Sequence, residues 1–178
     1  MAYTFKASNY DRDAVARKSS SAEIPPAGSI VAVRIMADGE TQYEWAGTKE
    51  KTSRSGRPMF QFHCVVDEGW EGERCWIIDY LLLDTDYTDA RMGSMLEACG
   101  FDLDVDGYNV TPEMFVNRRG YVRIKHEEYK GKTRAKISYW VSPSNYEKLG
   151  LEPLGAYEPA ESEEIENNDE EGEDGLPF

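Results

Sequence analysis

In the segment MFQFHCVV, Phe60, Phe62, Cys64 and Val66 fall on one side of an extended chain, because successive side chains of a strand point to opposite faces. That period of two commits this stretch to a sheet with one buried face. From Ser29, SIVAVRIMA is rich in β-branched residues and runs to Asp38-Gly39, a turn signal. Residues Ser53–Pro58 form a loop before the alternating segment, and the Glu71-Gly72 turn follows it. ERCWIIDYLLL is then a third long strand, in which Arg74, Trp76, Ile78 and Tyr80 share a parity. GYVRIKHEEYKGKTRAKISYWV reads as a hairpin turning near Tyr129–Gly131.

One helix interrupts the strands. Met92, Met95, Leu96 and Cys99 sit at i, i+3, i+4 and i+7, and Gly100 supplies the stop. Thr111-Pro112 is an N-cap followed by proline, opening a short helix through Asn117. Ser142-Pro143 through Leu149, stopped by Gly150, is a last short helix. Five or six strands with a helix inserted before the final hairpin predict a mainly β domain. A small, partly open barrel of the oligonucleotide/oligosaccharide-binding (OB) type is the leading choice. The same periodicity fits another small α+β domain.

Residues 1–28 read as a flexible arm, with a Ser cluster at 19–21 and Pro25-Pro26 before Gly28. Residues 29–150 are the folded domain, and residues 151–178 a disordered acidic tail. Acidic low-complexity chain cannot bury enough apolar area to offset its ordering entropy. The apolar runs are strand-length and too short to span a bilayer, so no membrane is expected as a partner. MAYTFKASNYDRD lacks a secretory apolar core, and Cys64, Cys75 and Cys99 form no C-x-x-C pair. A reducing cytoplasm suits both features.

The formal net charge of −14 conceals a segregation. Residues 149–178 hold 11 acids and no Lys or Arg, leaving 23 acids against 20 bases in residues 1–148. A near-neutral body with a negative tail is open to a polyanionic partner. The bases gather in the late hairpin. With unbroken alternation, Tyr121, Arg123 and Lys125 share one side of the first strand. Lys132, Arg134, Lys136 and Trp140 share one side of the second, opposite Ile137, Tyr139 and Val141. A four-residue turn at 128–131 would set Lys125 against Arg134 and Arg123 against Lys136. Like charges directly opposed across strands destabilise a sheet. A polyanion over that face would turn the repulsion into attraction, with Tyr121 and Trp140 as stacking surfaces. Lys49, Lys51, Arg54 and Arg57 make a second cationic segment, and Arg118 and Arg119 extend the first. A plain solvated hairpin face is the competing reading.

The chain ends GEDGLPF, and Asp174, Leu176, Pro177 and Phe178 resemble the C-terminal tip of bacterial single-stranded-DNA-binding proteins, where acids precede Ile-Pro-Phe. A buried Phe contributes about 1.5–3 kcal/mol, a terminal carboxylate suits a basic pocket, and upstream acids speed encounter with a basic partner. The body has its own likeness. TSRSGRPMFQFHCVVDEGWEGERCWIIDYLLL, the helix ending EACGF, and NRRGYVRIKHEEYKGKTRAKISYWV resemble a phage-encoded family of single-stranded-DNA-binding proteins. The shared features are a Ser-Gly loop before a strand, a short Glu-Gly turn and a late hairpin with a Tyr-Lys-Gly-Lys turn, over approximately residues 30–141. The resemblance implies an OB barrel that coats single strands in replication, recombination or repair inside a bacterial host, with a tail that recruits replication or recombination proteins.

DLDVDGYNVTPE, residues 102–113, fits the EF-hand expression with Asp102, Asp104, Asp106, Gly107 and Glu113. Asn109 at the eighth position, Pro112 before the Glu and the lack of a second such loop favour an Asp-rich linker with Asx turns, and no metal is expected. His63 and His126 each lie on an alternating strand, and the chain has no Walker loop, G-x-S-x-G or zinc spacing. No enzyme activity and no cofactor are expected. The expected function is sequence-independent single-strand binding, with Trp45, Trp76, Tyr121 or Trp140 as stacking candidates. A protein-binding adaptor or nucleic-acid mimic acting through the acidic tail is the alternative.

Overall fold

The computed structural model describes residues 24–103 and 109–158. The chain is mainly β. Six strands form one antiparallel, open sheet: β1 (Ile30–Ile35), β2 (Lys49–Thr52), β3 (Pro58–Glu68), β4 (Trp76–Leu82), β5 (Arg119–Tyr129) and β6 (Lys132–Trp140). Helix α1 (Thr88–Ala98) stands between β4 and β5, and α2 (Tyr146–Leu149) follows β6. Single 3-10 turns occupy Pro112–Phe115, where a helix through Asn117 was expected, and Pro143–Asn145. No described helix is long and apolar enough to cross a membrane.

The 11-residue β3 is the spine. One edge pairs with β2 from Thr52↔Pro58 to Lys49↔Gln61 and then with β1 from Ile35↔Cys64 to Ala32↔Glu68. Its other edge pairs with β4, from Met59↔Leu82 to Val65↔Trp76. β1 passes the sheet on to β5, and β5 to β6. Among the described residues no ladder joins β4 to β6, so these two strands face each other across an open seam.

The inner face carries the alternating apolar set: Val31, Val33 and Ile35, then Phe60, Phe62 and Cys64, then Ile77 and Leu81, then Val122 and Ile124. Helix α1 covers one end of it with Met92, Met95, Leu96, Ala98 and Cys99. The helix stops as the sequence predicts. Gly100 takes a φ of +84°, and the Phe101 amide donates back to the Leu96 carbonyl at 2.9 Å. Phe115, fully buried, meets Phe62 edge-on at 5.1 Å and Phe101 at 5.5 Å. The three cysteine thiols are free and buried, and burial pushes that of Cys99 up to about 12.

Two features of the hairpin depart from simple alternation. Its turn holds two residues, Lys130 (φ 51°) and Gly131 (φ 75°), both left-handed, as the twist of a tight hairpin favours. The pairs are therefore Tyr129↔Lys132, Glu127↔Arg134 and Lys125↔Lys136, not Lys125 with Arg134. Further along, Arg123 pairs with Tyr139 but Ile124 with Ile137, leaving Ser138 as an extra residue. That bulge reverses the parity of β6. Trp140, expected beside Lys136, instead turns into the core with Ala135 and Ile137, and Tyr139 turns outward.

The chain on either side of the sheet is tied to it. The Gly28 amide donates to the Ile124 carbonyl at 2.7 Å, and Ile24 packs against the core. After α2, the Tyr121 hydroxyl donates to the Glu152 carbonyl at 2.8 Å, and the Arg34 guanidinium lies 4.3 Å over the Tyr157 ring. The tail tip, Asp174 and Leu176–Phe178, lies outside the described residues, as do residues 1–23 of the arm and 104–108 of the EF-hand-like segment.

Candidate nucleic-acid interface

The outer face of β3 and β4 is where the most exposed aromatic surface is assembled. Gln61 and His63 point to this face, yet both are fully buried, because the β1–β2 loop lies across them. The Gln61 Nε2 donates to the carbonyls of Trp45 (2.9 Å) and Gly47 (2.7 Å). The Gly47 amide donates to His63 Nδ1 at 3.1 Å, and the His63 amide donates to Thr48 Oγ1 at 3.1 Å. Gly47 has a φ of +93°, and a Cβ there would stand 2.5 Å from the Asp38 Cα, so only glycine fits this crossing.

The loop so held presents Tyr43 and Trp45 to solvent, 44% and 51% exposed, stacked at 5.4 Å with 23° between their planes. Trp76 stands edge-on to both, 6.4 Å from Trp45 and 6.1 Å from Tyr43, and meets His63 at 5.0 Å and 90°. The parity noted in β4 puts Trp76, Ile78 and Tyr80 on this outer side, with Ile77, Asp79 and Leu81 inward. The Arg74 guanidinium lies 5.4 Å over the Trp76 ring. Burial lowers the His63 pKa below its usual 6.5; Glu40 opposes the shift and Arg74 adds to it.

Across the open seam, β6 supplies cations. Lys132 and Arg134 are exposed, and Arg134 lies 4.5 Å over the Tyr129 ring. Lys136 crosses the seam: its Nζ donates to the Ile78 carbonyl at 3.4 Å and lies 6.0 Å from the Tyr80 ring centre. It also approaches Glu127 at 3.9 Å, the only carboxylate within ion-pair distance of it among the described residues. Between the two banks runs a groove of about 590 Å³ walled by Trp45, Trp76, Ile78 and Tyr80 against Lys132, Arg134 and Lys136. Past Lys136 it continues into a recess of about 420 Å³ that adds Tyr87, Arg91 and Lys125. Ile78, Tyr80 and Lys136 line both, so the seam is one continuous trough.

Beneath it, Asp79 holds Arg91 at 2.7 Å and accepts from Trp140 Nε1 at 3.4 Å. Burial raises the Asp79 pKa, and Arg91 and Trp140 oppose the rise. Trp140, 4% exposed, therefore anchors the seam from inside rather than offering a stacking surface.

Of the residues singled out in the sequence, Trp45, Trp76, Lys125, Lys132, Arg134 and Lys136 come together here. The others stand apart. Arg119 is tied to Asp67 (2.8 Å) and Glu68 (2.9 Å), and Tyr121 is held by Glu152 and packs edge-on against Tyr146 at 5.2 Å. Arg118 lies 4.4 Å over the Phe101 ring, remote from the trough lining. Arg123 donates to the Gly28 carbonyl (2.7 Å) and the Tyr139 hydroxyl (2.5 Å). Arg57 is clasped by Asp84 at 2.8 Å, and Lys49 donates to the Glu44 carbonyl at 2.6 Å and so braces the aromatic loop. Lys51 is half-buried on β2 opposite Met59, and Arg54 is exposed in the loop that follows. Tyr80 and Tyr87 line the trough without having been named as site residues, and Tyr43 backs it by stacking on Trp45. Shared parity with Trp76 was the available signal for Tyr80; Tyr43 is brought in only by the path of its loop.

No protein-family model matches the chain, and no curated protein matches it significantly.

Proposed function

We propose that the protein binds single-stranded DNA without sequence preference, laying it in the trough between β4 and β6. The observation that carries this reading is the pairing of opposite chemistries along one groove: the exposed rings of Trp45 and Tyr80 with half-buried Trp76 on one bank, and Lys132, Arg134 and Lys136 on the other. Bases of any identity stack on aromatic faces, each worth about 1–3 kcal/mol, while cations follow the phosphates. A duplex presents no free base faces to such a trough. A single strand does.

The architecture supports an OB-type barrel as the scaffold. β1 lies between β3 and β5, β4 flanks β3, a helix separates β4 from β5, and a hairpin comes last. The resemblance of residues 30–141 to phage single-stranded-DNA-binding proteins agrees with this, as does the ending Leu176-Pro177-Phe178 for a partner-docking role in replication, recombination or repair. On this reading the acidic tail serves recruitment, with the coating carried by the barrel and no reaction catalysed.

The test is tryptophan fluorescence during titration with oligo-dT. Quenching is expected, with affinity that falls steeply as salt rises because phosphate contacts release counterions. Fluorescence unchanged by oligo-dT at low salt would remove the proposal. Deleting residues 159–178 separates coating from recruitment: strand affinity survives or rises if the barrel binds, whereas an adaptor acting through the tail shows no strand affinity to begin with and loses its activity on deletion.

A further inference from the structure

Trp45 faces the trough from a loop whose position is set from below. Neither Gln61 nor His63 lines the groove, and both are fully buried. Gln61 holds the carbonyls of Trp45 and Gly47, and His63 Nδ1 receives the Gly47 amide. We propose that Gln61 and His63 are the positioning residues that latch Trp45 into its stacking orientation, and that His63 is the proton-sensitive half of the latch. This inference rests on the trough being the strand-binding site.

The chemistry gives the latch a sign. While His63 is neutral with its proton on Nε2, Nδ1 accepts from the Gly47 amide. A second proton would sit on Nδ1 and set one donor against another. Nor does the imidazolium gain a partner at its other end, since Nε2 is buried without one among the described residues. The charged groups facing the ring are Glu40, from the loop and itself bound to Arg34 at 2.9 Å, and Arg74, from the β3–β4 connection. β4 contributes Trp76 against the ring and Ile78 opposite it in the ladder, and Thr48 lies at the entry to β2; none of these titrates. Glu40 is thus engaged elsewhere and Arg74 repels the proton.

Because burial lowers the folded pKa below 6.5, the folded chain binds fewer protons than the unfolded chain between those two values. The latch is therefore complete above about pH 6.5 and weakens as pH falls from there toward the lowered pKa.

The experiment uses the full chain, oligo-dT and constant ionic strength between pH 8 and pH 5.5, with protection of the Gly47 amide from hydrogen exchange measured in the absence of DNA. In the wild type, affinity is expected to fall by up to about tenfold across this range as the Trp45 contact is lost, with Gly47 protection falling alongside it. His63→Asn keeps an acceptor near the Nδ1 position and cannot titrate; it should bind more tightly than His63→Ala at pH 8 and show a flat profile. His63→Ala should bind weakly at every pH. The latch is overturned if His63→Asn retains the acid-induced loss, or if His63→Ala binds as tightly as the wild type at pH 8. Failure of the trough itself looks different: the wild type would ignore oligo-dT at pH 8. Gly47 protection would still judge the latch, which is then sustained if protection falls with acid in the wild type alone and refuted if it does not.

Discussion

Two tryptophans that a sequence reading treats alike should respond to alanine in opposite ways. Trp140 is 4% exposed, packs in the core and donates to Asp79. Trp140→Ala should cost about 3–5 kcal/mol of stability, from the cavity and from the carboxylate that loses a donor. Trp45 is 51% exposed, so roughly half its surface is already in water and Trp45→Ala should cost only about 1–2 kcal/mol. Its effect on binding is another matter. Loss of one stacked base is worth about 1–3 kcal/mol, or roughly a 5- to 150-fold weaker complex. Urea unfolding gives the stabilities, and fluorescence anisotropy of a labelled oligo-dT gives the affinities below the unfolding transition. If Trp45→Ala binds as tightly as the wild type, stacking on the β1–β2 loop is not what holds the strand.

Charge replacements should divide the same way. Arg134→Gln and Lys136→Gln should each lower the salt slope of single-strand binding by about 0.7, because each removes a cation from the trough. Arg119→Gln should leave the slope unchanged, since Arg119 is already neutralised by Asp67 and Glu68; a drop equal to that of Arg134→Gln would move the DNA path onto β5. Gly47→Val should lower the melting temperature and loosen the aromatic loop, given a Cβ contact of 2.5 Å with the Asp38 backbone and a φ of +93°; an unchanged melting curve would show that the crossing can relax. Acidification should favour the fold locally at Asp79: with its folded pKa raised above 3.8, that carboxyl contributes stability present below about pH 3.8 and lost as pH rises through the folded value. Asp79→Asn should flatten this dependence in thermal melts from pH 3 to 6, and an unaltered profile would contradict it.

The sequence made the strands legible because one face of the sheet is buried, and burial imposes a period of two that MFQFHCVV and WIIDYLL display openly. The helix was legible for the same reason at its own period, and Gly100 marked its end. The errors in the hairpin came from local events that alternation does not encode. Lys130 adopts a left-handed φ, giving a two-residue turn, and Ser138 bulges, which exchanges Trp140 for Tyr139 on the outer face. The cationic side chains were found as a cluster, but three of them were already engaged. Arg57, Arg119 and Arg123 have partners distant in sequence, at Asp84, Asp67 and Gly28, and no local pattern announces such pairings. Trp45 reaches the trough, with Tyr43 stacked behind it, through Gln61 and His63, buried polar side chains on the face that alternation marks as outward. Their burial comes from a loop crossing the sheet, a tertiary event.

If one trough offers rings to bases and cations to phosphates, the protein titrated over a series of salt concentrations should separate a single-stranded oligonucleotide from its matched duplex. Tryptophan quenching and tight, salt-sensitive binding are expected for the single strand, with the duplex weaker by about tenfold or more because its bases cannot stack on Trp45 and Trp76. Equal affinity for the two forms, or binding that leaves tryptophan fluorescence untouched, would contradict that role for the trough.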